Sequence, residues 1–181
     1  MCRSGLLTGV FSNTMITKKI CLLGSFSVGK TSLVEQYVHS IFSDKYLSSV
    51  GVKISKKTVS VKGREVNLVL WDMEGKDMYA EINLSYLRGA MGYFVVVDGT
   101  RLESLDVGKA LHAQAVTKVG DIPCFFLINK ADIADQWEVT QDMLQKVEES
   151  GIHVLRTSAK TGLGVDEAFL ALAEKMCAPK S

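Results

Sequence analysis

The sequence predicts an α/β fold, with one domain in which a mostly parallel sheet is flanked by helices. From residue 18 onward, short apolar runs alternate with segments that have helical periodicity. The runs FVVV and CFFLI are apolar throughout, which is typical of strands covered on both faces. The chain has 181 residues, of which 47% are hydrophobic and 23% charged, and it shows no repeat or linker. This size and composition suit one domain with a sizeable core.

Six strands are predicted from runs of apolar or alternating residues. In chain order they are KKICLLG, VKISKKTVSV, REVNLVLWD, GYFVVVDGT, PCFFLINK and IHVLRTS. The turn VKGRE around Gly63 separates two alternating runs, so the second and third strands should form an antiparallel hairpin. Helices between most of the other strands favour parallel pairing. A six-stranded sheet with one antiparallel edge strand is therefore expected.

Five helices are predicted to flank this sheet. Their approximate bounds are residues 30–40, 79–88, 102–118, 139–150 and 165–176. In the last of them Val165, Phe169, Leu172 and Met176 recur at spacings of three and four residues. That spacing places them on one face of a helix, which would be buried against the sheet.

Composition and charge argue against several classes of function. Lys and Arg number 21 against 20 Asp and Glu, a net charge of +1, so nothing electrostatic favours nucleic acid as a partner. The cysteines at positions 2, 21, 124 and 177 are far apart and show no C-x-x-C pairing. A disulfide framework or zinc site is therefore not expected, and a reducing, cytoplasmic location fits best. No apolar segment approaches the ~18 residues needed to span a bilayer.

A phosphate-binding loop is predicted in the segment GSFSVGKTS, which follows the first strand and opens the first helix. Its glycines allow successive backbone N–H groups to point at phosphate oxygens, and the helix N-terminus adds its positive end. Lys30 would reach the β- and γ-phosphates, and the Thr31 hydroxyl would bind Mg²⁺. The predicted loop residues are Gly24, Ser27, Val28, Gly29, Lys30, Thr31 and Ser32.

Two later motifs indicate which nucleotide binds. LINKAD places Asn129, Lys130 and Asp132 at the end of the fifth strand, on the edge where an open α/β sheet binds ligands. The Asp132 carboxylate can accept from both N1–H and the exocyclic amine of guanine, whereas adenine offers no donors in that arrangement. TSAK follows the sixth strand at the same edge. A guanine nucleotide is therefore predicted.

Together these motifs resemble those of the Ras superfamily of small GTPases, and within it the Rab branch most. WDMEG is similar to W-D-T-A-G, SVGVKI to T-I-G-V-D-F, and SYLRGAMGYFVVVDGT to the Y-Y-R-G-A segment that runs into the fourth strand. The resemblance covers Lys18 to about Met176. It implies a P-loop NTPase of the small-GTPase type, which converts GTP to GDP and phosphate and uses Mg²⁺.

The resemblance also implies how the base is recognised. Asn129 and Asp132 would read the guanine, Lys130 would lie along its plane, and the Ala159 backbone N–H would lie near O6. Phe42, twelve residues beyond Lys30, would pack edge-on against the base, with an ordinary core position as its alternative. The implied base contacts are Phe42, Asn129, Lys130, Asp132, Ser158, Ala159 and Lys160.

The resemblance also implies which residues bind Mg²⁺ and the γ-phosphate. Asp72 would hold Mg²⁺ through a water, beside the Thr31 hydroxyl, and Ser49 would close over the ion only in the triphosphate state. Ser48 is the alternative ligand, but the register of VGVKI favours Ser49. The Gly75 N–H would contact the γ-phosphate. Two loops would then be ordered by this phosphate and released after its loss, a switch that effector proteins read. Exchange factors and activating proteins are further expected partners.

Two residues depart from the family pattern and bear on catalysis. Phe26 stands in the phosphate loop where the family has Gly or a small residue, and its ring would crowd the space beside the γ-phosphate. Lys76 follows Gly75, where the family has a Gln that orients the attacking water. An ammonium group donates but cannot accept, so it cannot replace an amide in that role. Lys76 and Lys30 remain candidate catalytic cations that stabilise charge on the transferring oxygens.

We therefore expect a guanine-nucleotide switch with slow intrinsic hydrolysis. One alternative is that both departures are tolerated variants with an unmodified cycle. Another is a non-cycling interaction module that keeps GTP as a structural ligand. A P-loop kinase of small metabolites has no use for the NKAD and SAK segments.

Three segments are predicted along the chain: an N-terminal extension at residues 1–17, a small-GTPase domain at 18–177 and a C-terminal tail at 178–181. The last six residues, MCAPKS, contain no C-a-a-X box, because Cys177 is the fifth residue from the end rather than the fourth. Membrane association is thus left open, with a peripheral location as the alternative if a native tail is missing. The protein is expected to be a monomer.

Overall fold

The computed structural model describes residues 16–39, 47–49, 52–73 and 84–179, the second range by its backbone alone. Residues 1–15 of the predicted extension, the last two residues of the tail, Phe42, Gly75 and Lys76 lie outside these ranges. The strands are β1 (Ile16–Leu23), β2 (Leu47–Ser49), β3 (Val52–Val61), β4 (Arg64–Met73), β5 (Gly92–Asp98), β6 (Cys124–Asn129) and β7 (His153–Arg156). The α-helices are α1 (Lys30–His39), α2 (Leu102–Val119), α3 (Gln141–Glu149) and α4 (Val165–Cys177).

The strands form one sheet in the order β2-β3-β4-β1-β5-β6-β7. All neighbours from β4 to β7 are parallel, whereas β2 and β3, and β3 and β4, pair antiparallel. The predicted α/β fold class is confirmed, and each of the six predicted strands forms. In the β3–β4 turn, Lys62 and Gly63 have φ of 49° and 76°, which is typical of a two-residue hairpin loop.

The strand count departs from the prediction because β2 is a seventh strand, placed at the edge beyond β3. The segment LSS is three residues long and has neither an apolar run nor a clear alternation. Its strand conformation comes from pairing with β3 along Leu47–Ile54 and Ser49–Val52. Such pairing leaves no local signal in the sequence.

Four of the five predicted helices form within two residues of their expected ends. In the described part of the remaining one, Leu84–Leu87 is a 3-10 helix rather than an α-helix, and residues 79–83 lie outside the description. Helix α3 begins two residues later than predicted. Val139 is buried and fits the apolar period, but Thr140 is the N-cap, whose side chain accepts from the Met143 N–H.

The core has two apolar layers, one on each face of the sheet. Alternate residues of β1 enter opposite layers, with Ile20 and Leu22 on the α1–α4 face and Cys21 and Leu23 on the other. Every residue of β5 is buried, as the continuous run FVVV indicated. Tyr37 of α1 stacks on Phe169 of α4 with ring centroids 3.9 Å apart.

This architecture brings four loops to one edge of the sheet. The strands β4, β1, β5, β6 and β7 are parallel, so their carboxyl ends lie on the same side. The loops that follow β1, β5, β6 and β7 therefore meet there, beside the end of β4, in the position where open α/β sheets bind ligands. Within the described ranges, no helix combines the length and apolarity needed to cross a bilayer.

Candidate functional site

The loop after β1 packs too closely against its neighbours for side chains at its two glycines. Gly24 has φ of +146°, and a Cβ there would lie 2.4 Å from the carbonyl oxygen of Val96. Gly29 has φ of +99°, and its Cβ would lie 2.3 Å from Nδ2 of Asn129. Ser27 between them adopts φ of 60°, a left-handed conformation that costs a residue with a Cβ roughly 1–2 kcal/mol.

Lys30, the first residue of α1, lies across this loop. Its Nζ donates to the carbonyl oxygens of Gly24 and Ser25, both at 2.8 Å, and the residue is 6% exposed. Burial lowers the pKa of Lys30 to about 8, against an opposing effect of Asp72 and with a further lowering by Arg101. An ammonium has three hydrogens, so one remains for an acceptor beyond the loop carbonyls.

Thr31 and Asp72 meet at the carboxyl end of β4. The Thr31 hydroxyl donates to Oδ2 of Asp72 at 2.5 Å, and Asp72 is fully buried. A hydroxyl and a carboxylate are the hard oxygen ligands that Mg²⁺ prefers, so this pair fits the predicted ion. The backbone of Ser49 pairs with Val52 in β3, while its side chain lies outside the description.

The Asp132 carboxylate is fixed by the loop after β7. The hydroxyl of Ser158 donates to its Oδ1 at 2.6 Å, and Nζ of Lys160 lies 3.9 Å from Oδ2. The Ser158 hydrogen bond is the main cause that holds the pKa of Asp132 below its ordinary value. Asp132 is thus ionised at neutral pH and acts only as an acceptor.

Asn129 joins three loops by means of a buried side chain, which is 2% exposed. Its Nδ2 donates to the carbonyl oxygen of Val28 at 3.0 Å. Its Oδ1 accepts from the backbone N–H of Ala159 at 3.1 Å and from the hydroxyl of Thr157 at 3.4 Å. The Ala159 N–H that the resemblance assigned to guanine O6 is therefore donated to Asn129 in this structure.

Lys130 occupies the left-handed region with φ of 69°, and its side chain runs toward the end of β5. There Nζ lies 2.6 Å from Oδ2 of Asp98. The indole N–H of Trp137 donates to the Lys130 carbonyl oxygen at 3.1 Å. This hydrogen bond stabilises the turn between Lys130 and Trp137.

Asp98 and Arg101 belong to the same site, and sequence reasoning missed both. Asp98 is fully buried; its Oδ1 accepts from the N–H and hydroxyl of Thr100, and its Oδ2 accepts from Nε of Arg101 at 3.0 Å. Burial raises the pKa of Asp98, but the bonds from Lys130 and Thr100 and the Lys130 charge outweigh it and hold the pKa below its ordinary value. Nη2 of Arg101 donates to the carbonyl oxygen of Phe26 at 2.8 Å. A charge that ends the apolar run FVVVD was the available signal, since it requires a partner.

The predicted site residues that the structure describes thus come together at the carboxyl edge of the sheet. Phe42, Gly75 and Lys76 lie outside the described residues, and Ser49 is placed by its backbone alone. This edge contains the glycine-bearing loop after β1, a buried lysine, a hydroxyl–carboxylate pair and an acceptor carboxylate.

Residues 19–178 match the family described as "Ras family". The chain belongs to the Ras family. It is 34% identical over 162 residues to "Ras-related protein Rab-10" of Caenorhabditis elegans, an alignment that covers 88% of this chain and 81% of that protein. It is 36% identical over 156 residues to "GTP-binding protein YPTM1" of Zea mays, covering 85% and 75% of the two chains. "Ras-related protein Rab-13" of Bos taurus is 32% identical over 157 residues, covering 86% and 77%.

These relatives confirm the resemblance to small GTPases and to the Rab branch. The Ras-family domain spans nearly the whole described chain, which supports a P-loop fold, and we call the loop after β1 the P-loop. Phe26 in this P-loop is 58% exposed, and its backbone carbonyl is the acceptor that Arg101 binds.

Proposed function

We propose that this small GTPase is a Mg²⁺-dependent GTP switch that hydrolyses GTP slowly without help. The observation that carries the nucleotide site is the Asn129 side chain, which joins the P-loop at Val28 to the loop at Ala159 beside the Asp132 carboxylate. This arrangement supports a ligand that places its phosphates in one loop and its base against another.

Guanine specificity is assigned mainly to Asp132. Its ionised carboxylate can accept from the N1–H and the exocyclic amine of guanine at once, and Ser158 keeps it oriented. The amide of Asn129 has a second Nδ2 hydrogen, which can donate to an acceptor on the base. The methylene groups of Lys130 can cover the base plane because Asp98 holds the ammonium end. The O6 contact assigned to Ala159 would require its N–H to be shared with Asn129.

The phosphates are assigned to the P-loop amides, Lys30 and the N-terminus of α1. Thr31 and Asp72 would hold Mg²⁺, which supplies positive charge to the phosphate oxygens when bound. The remaining hydrogen on Nζ of Lys30 can donate to a phosphate oxygen, because its other two bonds go to loop carbonyls. Ser49 is retained as the proposed hydroxyl from the first switch, and Gly75 as the γ-phosphate contact.

Slow hydrolysis is proposed from the residues beside the γ-phosphate. Phe26 places a large, exposed aromatic ring in the P-loop, where it obstructs both an attacking water and a cation delivered by a partner protein. Lys76 replaces the amide that would accept from water and donate to phosphate, and an ammonium only donates. Single-turnover hydrolysis of wild type, Phe26→Gly, Lys76→Gln and the double variant tests this. We expect the double variant to be faster by about 10²-fold, the scale on which correct positioning of a reacting group acts. A wild-type rate equal to that of ordinary family members, unchanged by Lys76→Gln, would remove the proposal.

The same two residues favour a second candidate, a non-cycling module that retains GTP as a structural ligand. The nucleotide content of the purified protein separates the two. A switch that turns over contains GDP or exchanges readily, whereas the non-cycling module retains GTP through purification and fails to hydrolyse it on long incubation.

Effector proteins are the proposed partners, because switch loops that respond to the γ-phosphate present different surfaces in the two nucleotide states. Exchange factors and activating proteins would set the rates of the cycle. Pull-down of partners with the GTP-loaded and GDP-loaded protein tests this assignment. Equal capture in both states would contradict it.

A further inference from the structure

Arg101 connects the end of β5 to the P-loop across 75 residues of sequence. Its guanidinium uses Nε on Oδ2 of Asp98 at 3.0 Å and Nη2 on the carbonyl oxygen of Phe26 at 2.8 Å. The two nitrogens belong to one rigid, planar fork, so the position of Asp98 determines where Nη2 can lie.

Asp98, to which the Arg101 side chain is anchored, is held rigidly. Asp98 is fully buried, and Thr100 holds its other carboxylate oxygen through both an N–H and a hydroxyl. The Ser104 hydroxyl accepts from the Asp98 N–H at 3.0 Å, and its one hydrogen is shared between the carbonyl oxygens of Asp98 at 3.0 Å and Arg101 at 2.7 Å. Although the Arg101 side chain is 41% exposed, both its backbone and its charged end are therefore fixed.

Arg101 completes a pattern in which the P-loop carbonyls turn toward protein donors. Hydrogen bonds are accepted by the carbonyl oxygens of residues 24, 25, 26, 28 and 29. In a trans peptide the C=O and the next N–H point in opposite directions. Loop carbonyls that bind the protein thus direct loop N–H groups away from it, as an anion-binding nest requires.

The Phe26–Ser27 peptide is the strained member of this set. Ser27 has φ of 60°, a conformation that disfavours a residue with a Cβ. Rotating this peptide by half a turn would bring φ of Ser27 to about −120°, a negative value that residues with a Cβ adopt without the left-handed penalty. Such a rotation would relieve the strain but would also turn the Ser27 N–H to the opposite side. The bond from Arg101 to the Phe26 carbonyl opposes it.

We infer that Arg101 is a positioning residue that holds the strained Phe26–Ser27 peptide in the phosphate-binding orientation and so sets the affinity for nucleotide. This rests on the proposed guanine-nucleotide site. The guanidinium acts through the loop backbone, with Asp98 as its anchor.

The test measures affinities for Mg²⁺-GDP and Mg²⁺-GTP by equilibrium titration of nucleotide-free protein. Arg101→Gln is expected to weaken both by about tenfold or more, as the loss of a charge-assisted hydrogen bond does. Arg101→Lys keeps the charge but lacks the fork, and it should bind as weakly as Arg101→Gln. Lys109→Gln in α2, an exposed lysine that pairs with Asp106, removes the same charge and should leave affinity unchanged.

The decisive experiment asks whether a second substitution restores nucleotide binding to the Arg101→Gln variant. Glycine adopts the left-handed region without penalty, so Ser27→Gly removes the strain that Arg101 opposes. The double variant Ser27→Gly/Arg101→Gln should bind within about threefold of Ser27→Gly alone, a coupling that independent sites do not show. A double variant as weak as Arg101→Gln would overturn the inference, as would wild-type affinity in either Arg101 variant.

Failure of the proposed nucleotide-binding function would give a different result from failure of the positioning role alone. A wild-type protein that binds no guanine nucleotide, or binds ATP as tightly, removes the nucleotide site and with it this role for Arg101. Guanine-specific wild-type binding that no Arg101 substitution weakens removes only the positioning role. Thermal unfolding of every variant checks that a change in affinity is not a loss of fold.

Discussion

Asn129 donates a hydrogen bond from Nδ2 to the carbonyl oxygen of Val28 at 3.0 Å, across 101 residues of sequence. The same amide accepts from the Ala159 N–H through Oδ1. One buried side chain therefore sets the distance between the P-loop and the loop after β7. Because the proposed nucleotide spans these two loops, we expect Asn129 to influence affinity chiefly by fixing their separation.

Replacing Asn129 by Ala should weaken binding of GDP and GTP by about 10- to 100-fold, since it leaves the Val28 carbonyl and the Ala159 N–H without this partner. Stopped-flow displacement of a fluorescent guanine nucleotide measures the dissociation rate, which should rise accordingly. Gln145→Ala is the matched control, because that amide is exposed and bonds only to Glu149 among the described residues. An unchanged dissociation rate in the Asn129 variant would contradict the prediction.

Gly29→Ala should lower the free energy of unfolding by about 2–3 kcal/mol, near the upper end for ordinary substitutions. The new Cβ would lie 2.3 Å from Nδ2 of Asn129, at a φ of +99°. Gly63→Ala is the control, because Gly63 has φ of +76° in the β3–β4 turn with nothing within 4 Å of an added Cβ, so about 1 kcal/mol of backbone strain is the whole expected effect. Urea unfolding of the nucleotide-free proteins compares the two, and equal losses would show that the Asn129 contact is unimportant.

The sequence predicted those parts of the fold that depend on local pattern. The uniform burial of β5 follows from the run FVVV, and the β3–β4 hairpin follows from the turn at Gly63. Strand β2 could not be predicted, since its three residues owe their conformation to pairing with β3. The early start assigned to α3 arose because Val139 fits the apolar period while Thr140 caps the helix.

The candidate site likewise contains some residues that the sequence predicted and others that it did not. The resemblance marked Asp72 as a residue near Mg²⁺, whereas no family motif marked Asp98, although both are buried charges at the end of an apolar strand and both need a partner. The partner of Arg101, by contrast, is a backbone carbonyl 75 residues away. Every residue has a backbone carbonyl, so no sequence motif shows which of them accept these hydrogen bonds. The role of Asn129 in joining loops was hidden for the same reason, since its acceptor is the Val28 carbonyl.

Asp132→Asn should weaken guanine nucleotides by about 100-fold and favour xanthine nucleotides instead. The neutral amide loses one acceptor oxygen and gains a donor, which matches the carbonyl that xanthine carries in place of the guanine amine. Competition between GDP and xanthosine diphosphate measures this preference. Asp135→Asn, an exposed carboxylate three residues away, removes the same charge and should leave the preference unchanged. A variant at position 132 that still prefers GDP would argue against base recognition by this carboxylate.

The affinity for GDP should fall as pH rises through the pKa of Lys30, which burial lowers to about 8. The ammonium form carries the positive charge and a third hydrogen for phosphate, whereas the two hydrogens of a neutral amine are both used on loop carbonyls. Binding should therefore be about tenfold weaker at pH 9 than at pH 7 if bound phosphate keeps the lysine protonated. Isothermal titration across this range measures the change. A constant affinity would contradict it.

The stability of the nucleotide-free protein should respond to pH with the opposite sign. Between pH 8 and the ordinary lysine value of 10.5, the unfolded chain keeps a proton that folded Lys30 has released. The unfolded state then binds more protons, so this group makes the free energy of unfolding rise with pH in that window. Cys21 and Cys124 work against it, because burial raises the pKa of each thiol to about 12 and only the unfolded thiols ionise above pH 9. The comparison is therefore wild type minus Lys30→Met, in which the thiol contributions cancel. That difference should increase from pH 8 to pH 10.5, and a flat or falling difference would show that Lys30 is not desolvated in the folded protein.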